Sequence, residues 1–97
     1  MTLAELKRKL QVGSKLQIVH HSYASQVPVE RRESFFGVRE VIKVQSNAIV
    51  LSSSRDDKKG SWLTWPKVNQ IRFQDDGFEI CLDEDGSFKH SMRYEYR

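Results

Sequence analysis

The chain has 97 residues, of which 38% are hydrophobic and 30% charged, and its formal net charge at pH 7 is +3. This length allows one domain with a modest core, and the composition is that of a folded protein rather than a disordered one. Its longest apolar run, residues 48–51, is far shorter than the roughly 20 residues of a membrane span, and its single cysteine excludes an internal disulfide. We therefore expect one soluble, cytoplasmic domain over residues 1–97 that has no membrane partner.

The first predicted element is an amphipathic helix over residues 3–12. Thr2 and Glu5 have the spacing of a capping box, and Gly13 is a typical helix stop. The apolar face of this helix consists of three residues at helical spacing, Leu3, Leu6 and Leu10. We expect this helix to cover one end of a β core.

From Ser14 onward the sequence alternates with a period of two, so we assign residues 14–96 to a β structure. The first strand is followed by residues 21–34, which have no periodicity and contain Pro28. This segment is predicted to be a long loop of the kind that often contacts partners.

The second strand is predicted over residues 35–45. Its three valines cannot share one face of an unbroken strand, which predicts a bulge near residues 39–40. The dipeptide Ser46-Asn47 suits a tight turn before the next strand, residues 48–52. The two strands should therefore be antiparallel neighbours.

Further short strands are separated by turn residues and by Pro66, after which a single helical turn is expected. They cover residues 61–65, 71–73, 78–82 and 88–96. Six or seven short antiparallel strands after one N-terminal helix predict a mainly β fold, a small SH3-like barrel, with an oligonucleotide-binding (OB-like) barrel as the alternative. The last strand, if it lies at an edge, could pair with its copy, so both a monomer and a homodimer are open.

The sequence contains no motif of a catalytic or metal site. Glycine-rich phosphate loops, nucleophile elbows and paired carboxylates are missing. His20 and His21 are adjacent and would point to opposite faces of a strand, so they cannot share a metal ion. Cys81 should point away from the face of Ile80 and Leu82, where it could be exposed. We expect a non-enzymatic binding module without a cofactor.

Basic and aromatic side chains occur together in the sequence, and this combination is typical of domains that bind single-stranded nucleic acid. Basic groups neutralise phosphates, and aromatic rings stack on unpaired bases. The two tryptophans are three residues apart in a strand, so they should point to opposite faces, and at least one should belong to the core. The candidate residues are Lys7, Arg8, Lys9, Arg31, Arg32, Lys58, Lys59, Trp62 and Trp65.

The charge is distributed unevenly, with +7 over residues 1–74 and −4 over residues 75–97. Acidic turns on a small domain can imitate the phosphates of DNA and occupy the basic channel of a nucleic-acid-binding protein. This alternative binding face would consist of Asp75, Asp76, Asp83, Glu84 and Asp85.

The chain resembles small uncharacterised proteins carried by phages and mobile elements of Gram-positive bacteria. The similarity lies in the spacing of Leu6 and of residues 12–16, 44–48, 60–67 and 71–73. This resemblance implies roles in nucleic-acid housekeeping or in the inhibition of host defence. Our leading hypothesis is a module that contacts nucleic acid or a nucleic-acid-handling protein. The alternative is an anti-CRISPR-type inhibitor of a host nuclease, such as a Cas9-like effector.

Overall fold

The computed structural model describes residues 1–52 and 60–97. These residues form two short α-helices, seven β-strands and two single 3₁₀ turns. In chain order they are α1 (Leu3–Lys9), β1 (Lys15–His21), a 3₁₀ turn (Ala24–Gln26), α2 (Val29–Phe35), β2 (Val38–Val44), β3 (Ala48–Leu51), β4 (Ser61–Thr64), a 3₁₀ turn (Val68–Gln70), β5 (Ile71–Gln74), β6 (Gly77–Cys81) and β7 (Ser91–Tyr96).

The strands form one antiparallel sheet in the order β4-β3-β2-β1-β7-β6-β5. This confirms the predicted mainly β class, the number of strands and the N-terminal helix. The strand β2 changes its partner along its length: residues 38–40 pair with β1, and residues 41–44 pair with β3. Strands that switch partners in this way make the corners of small, strongly bent sheets.

The sheet does not close into a complete barrel. Its order ends at β4 and β5, and within the described residues no hydrogen-bonded ladder joins these two strands. The bend nevertheless brings both ends to a common core, to which α1 and all seven strands contribute. The side chains of this core that are at most 1% exposed are Leu6, Leu10, Leu16, Val41, Ile49 and Phe78.

Helix α1 begins with the predicted cap. The Thr2 hydroxyl accepts the backbone N–H of Glu5 at 3.2 Å, which satisfies one of the free donors of the first turn. The helix ends at Lys9 rather than at residue 12, because Leu10 adopts an extended backbone while its N–H still bonds the carbonyl of Leu6. Leu6 of α1 and Leu10 directly after it are buried in the core and fix the helix against the sheet.

The prediction of a long loop over residues 21–34 was wrong. After His21 the chain forms a 3₁₀ turn and then α2, which begins directly after Pro28. Proline suits the start of a helix because its missing N–H would have no partner there. A helix of seven residues is too short to show a convincing period in the sequence. Since α2 ends at Phe35, β2 begins only at Val38.

The structure differs from two further predictions, which concern β2 and the last strand. The irregularity in β2 lies between Val41 and Lys43, two residues after the predicted bulge. The last strand begins at Ser91 rather than at residue 88, and it lies between β1 and β6 in the middle of the sheet. It is therefore no edge strand, and the pairing of copies along it is excluded.

Candidate nucleic-acid interface

The two tryptophans of the candidate set have opposite environments. Trp65 is 4% exposed and belongs to the core, whereas Trp62 is 57% exposed. Their spacing of three residues along β4 and the position after it causes this difference, because successive residues of an extended chain point to opposite faces. The prediction that one tryptophan is core and the other faces away is confirmed, and only Trp62 is accessible to a ligand.

Trp62 belongs to the outer face of three neighbouring strands. It is paired across the sheet with Val50 of β3, which in turn is paired with Lys43 of β2. The methyl groups of Val50 and Ile42 both lie next to Gly60, at the start of β4. We give the name β2–β4 face to the side of these strands on which Ile42, Lys43, Trp62 and Thr64 are exposed, with the buried Val50 between Lys43 and Trp62.

The β2–β4 face combines an exposed aromatic ring with cations. Lys43 is exposed in the same cross-strand row as Trp62. At the end of the face, in the turn between β2 and β3, the ammonium group of Lys7 donates to the carbonyl oxygen of Ser46 at 3.0 Å. This contact holds one cation of α1 beside the strand ends, although Lys7 lies far from β2 in the sequence.

The other basic candidates of α1 do not lie in the β2–β4 row. The ammonium group of Lys9 lies 4.2 Å from the centroid of the Tyr96 ring, a cation–π contact with β7. Arg8 is exposed on the same helix, and its backbone carbonyl accepts the side-chain amide of Gln11.

The candidates Arg31 and Arg32 lie at the opposite end of β1. They belong to α2, which contacts the last residue of β1, His21, through Phe35. Arg32 is partly engaged, since its Nε donates to the carbonyl of Val27 at 3.1 Å. The structure therefore separates the basic residues of the two helices rather than joining them in one patch. Lys58 and Lys59 lie outside the described residues.

The acidic candidates form two groups rather than one face. Arg93 pairs with Asp76 at 2.9 Å, and His90 pairs with Asp83 at 2.9 Å. The hydrogen bonds from His90 hold the pKa of the Asp83 carboxyl below its ordinary value. The two groups, separated by the length of β6, are Asp75 with Asp76 before it and Asp83, Glu84 and Asp85 after it.

Sequence reasoning missed a cluster of rings near α2. The Tyr23 ring stacks on the imidazole of His90, with 5.0 Å between centroids and 13° between planes. His21 lies 5.5 Å from Phe35 and 6.0 Å from Tyr23 between ring centroids. We call these four residues the ring cluster. Its members come from β1, α2 and two loops, so no local sequence pattern indicates the cluster.

Cys81 lies at the end of β6. Cys81 is 6% exposed, so the expectation that it could be accessible is wrong. Its thiol donates to the carbonyl oxygen of Asp83 at 3.3 Å. Among residues 1–52 and 60–97, no three His, Cys, Asp or Glu side chains are grouped in a way that would hold a metal ion.

Comparison of this chain with protein-family models, with curated proteins and with solved structures gives no match. The resemblance to phage and mobile-element proteins therefore stays a prediction. None of the helices in the described part of the chain has the length and apolar character to cross a membrane.

Proposed function

We propose that this protein is a non-enzymatic module that binds single-stranded nucleic acid through the β2–β4 face. The observation that supports this proposal is the exposure of Trp62, 57% of whose surface is accessible in the same cross-strand row as Lys43. An indole of this size is usually buried, since it loses hydrophobic stabilisation when it faces water. A ligand that stacks on the ring would recover this energy.

The row across the sheet places Trp62, which can stack on a base, and Lys43, which can bind a phosphate, at a separation that a nucleotide can bridge. Neighbouring strands lie about 4.8 Å apart, so Trp62 and Lys43, which are two strands apart, are separated by about 10 Å at the backbone. The flexible lysine side chain spans much of this distance. It would neutralise a phosphate adjoining the base that stacks on Trp62. Lys7 would supply a second cation at the end of the face.

The exposed ring of Trp62 favours unpaired bases over a duplex. Bases in a double helix stack on one another and cannot place their planes on a protein ring without being extruded. A single strand can do so freely, and each stacked base contributes about 1–3 kcal/mol. Stacking is tolerant of base identity, because every base has a flat face, so we expect affinity with little sequence preference.

The competing hypothesis is inhibition of a host nuclease by an acidic surface, and it has less support. The acidic candidates lie at both ends of β6 instead of in one row. Two of them have partners within the protein: Asp76 forms an ion pair with Arg93, and Asp83 accepts hydrogen bonds from His90. Carboxylates that are engaged within the protein imitate DNA phosphates poorly.

Binding is measured by fluorescence anisotropy with labelled single-stranded DNA and RNA and with the matched duplex, over a range of salt concentrations. We expect the single strands to bind more tightly and the affinity to fall with salt. Trp62→Ala should weaken binding about 5- to 150-fold, the range that corresponds to 1–3 kcal/mol. Lys43→Ala should reduce the slope of log K against log salt by about 0.7.

The matched control is Val68→Ala, which truncates an apolar side chain that is 75% exposed in the second 3₁₀ turn. It should bind like the wild type. Equal affinity of wild type and Trp62→Ala, or the absence of binding at low salt, would overturn the proposal. If affinity purification from a bacterial lysate then recovered a nuclease after all nucleic acid had been digested, the inhibitor hypothesis would replace it.

A further inference from the structure

His21 connects the end of β1 to the segment that follows. Its Nδ1 accepts the backbone N–H of Tyr23 at 3.1 Å. This bond requires a lone pair on Nδ1, so the imidazole is neutral and its other nitrogen carries the proton. The ring also packs edge-on against Phe35 at the end of α2, at 5.5 Å between centroids. The neutral ring thus joins β1 to both ends of residues 22–36.

The surroundings of His21 supply little to compensate a positive charge. Its neighbour on β1 is His20, and across the ladder on β7 it faces Met92. Phe35 is the member of α2 whose ring contacts it, and Tyr23 separates it from His90. The charged and titratable groups on the elements packed against His21 include His20, Tyr23, Glu30, Arg31, Arg32, Glu33, His90 and Arg93, together with Asp83 beside His90.

His90 is held differently from His21. Its Nδ1 lies 2.9 Å from one carboxylate oxygen of Asp83, and its backbone N–H donates to the other at 2.7 Å. A protonated His90 would strengthen this pair, because a cationic donor faces an anionic acceptor. Acid should therefore stabilise the contact of His90 with Asp83 until the carboxylate itself is protonated.

We infer that the ring cluster is an acid-sensitive latch in which protonation of His21 releases residues 22–36 while the β6–β7 loop stays in place. A proton on Nδ1 removes the acceptor for the Tyr23 N–H and puts two donors opposite each other. Burial, together with the neighbouring His20, lowers the pKa of His21 in the folded protein, which agrees with this geometry.

The sign of the pH dependence follows from this direction. A histidine whose pKa is lower in the closed state binds fewer protons there than in the released state. The closed state is therefore favoured fully above the ordinary pKa of 6.5, and it loses stability as the pH falls below that value. Because pH 5 lies 1.5 units below the ordinary pKa of 6.5, protonation of His21 can raise the ratio of released to closed molecules by at most about 30-fold.

Hydrogen exchange followed by mass spectrometry at pH 7.5, 6.5 and 5.0, corrected for the intrinsic exchange rates, tests the latch. We expect exchange of residues 22–36 to accelerate by up to about 30-fold at pH 5.0. Peptides that cover β7 and the β6–β7 loop should keep their protection, except at the Ser91 amide, which donates to the hydroxyl of Ser22 in the released segment. A uniform loss of protection across the chain would show global acid unfolding and would overturn the inference.

Two variants assign the effect to His21. In His21→Asn the side-chain oxygen can still accept the Tyr23 N–H but cannot be protonated, so the pH dependence of residues 22–36 should disappear. The matched control, His20→Asn, changes the exposed neighbour and should retain it. Retention of the acid response in His21→Asn, or its absence in the wild type, would refute the latch. Neither result depends on binding of nucleic acid.

Discussion

The indole of Trp65 meets the ring of Phe78 edge-on, with 5.7 Å between the ring centroids and 61° between their planes. Trp65 follows β4, at one end of the strand order, whereas Phe78 belongs to β6, beside the other end. The contact therefore spans the opening between the two ends of the sheet. Edge-to-face aromatic pairs contribute about 0.5–1.5 kcal/mol beyond the burial of their surface.

Truncation of Trp65 should destabilise the protein far more than truncation of Trp62. Removing a large, buried aromatic side chain leaves a cavity, so Trp65→Ala should lower the free energy of unfolding by about 3–5 kcal/mol. Trp62→Ala should change it by less than about 1 kcal/mol, because its ring faces water. Chemical denaturation followed by circular dichroism gives both values.

If Trp65→Ala fails to fold, Trp65→Phe keeps an aromatic ring and should still be destabilised. Equal stabilities of the Trp62 and Trp65 variants would contradict the assignment of one tryptophan to the core and the other to the β2–β4 face.

Gly77 should be intolerant of any side chain. A Cβ atom at this first position of β6 would overlap the backbone carbonyl oxygen of Tyr94 on β7. Gly77→Ala should therefore force β6 and β7 apart and prevent or severely weaken folding. Gly13→Ala is the control: its positive φ of 98° makes alanine unfavourable, by about 1–2 kcal/mol, but the space around it is open. Comparable yields and melting temperatures of the two variants would count against this packing.

Asp83 should contribute to the acid limb of the stability curve. Hydrogen bonds from the side chain and backbone of His90 lower the pKa of its carboxyl. A carboxyl whose pKa is lowered by folding stabilises the folded state at pH values above 3.8, the pKa that it has in the unfolded chain. This stabilisation is lost as the pH falls below 3.8 and through the lower pKa of the folded state. Asp83→Asn should thus be less stable than the wild type at pH 7, and the difference should shrink towards pH 2.5.

The measurement is the melting temperature of both proteins across this range, with Glu84→Gln, at an exposed neighbouring residue, as the control. The control should differ little from the wild type at neutral pH. A difference between Asp83→Asn and the wild type that stays constant with pH would show that the carboxylate is not the source of the stabilisation.

Cys81 should react slowly with thiol reagents in the native protein. Its side chain is buried, and its thiol is occupied by the carbonyl of Asp83. Reaction requires both the thiolate and access to it, so labelling should follow unfolding of β6. Labelling is timed with a coloured disulfide reagent in buffer and in denaturant. Equally fast labelling under both conditions would show that the thiol is accessible after all.

Local patterns predicted those features that depend on neighbouring residues. The capping box at Thr2 is present, and the turn at Ser46-Asn47 joins β2 to β3 as expected. The alternation around Trp62 and Trp65 correctly separated an exposed ring from a buried one. Each of these follows from the geometry of a few consecutive residues, which is why the sequence alone was sufficient.

Features that depend on distant residues were not predictable in this way. Helix α2 is anchored by the contact between Phe35 and His21, and its own seven residues carry no clear helical period. The burial of Cys81 depends on its pairing with Ser91 of β7, whose central position no local signal indicates. The separation of the basic residues of α1 from those of α2 has the same cause, because the two helices lie at opposite ends of β1.

The pairing of β1 with β7 has a consequence for the folding of the chain during its synthesis. The two strands are neighbours in the sheet, but β7 begins about 70 residues after β1 ends. At a synthesis rate of about 5–20 residues per second, the second strand appears roughly 4–14 s after the first. During that interval β1 has an unpaired edge, which can join another chain. Nascent chains are therefore most vulnerable to aggregation just before β7 emerges, and slower synthesis of residues 60–90 should lower the soluble yield.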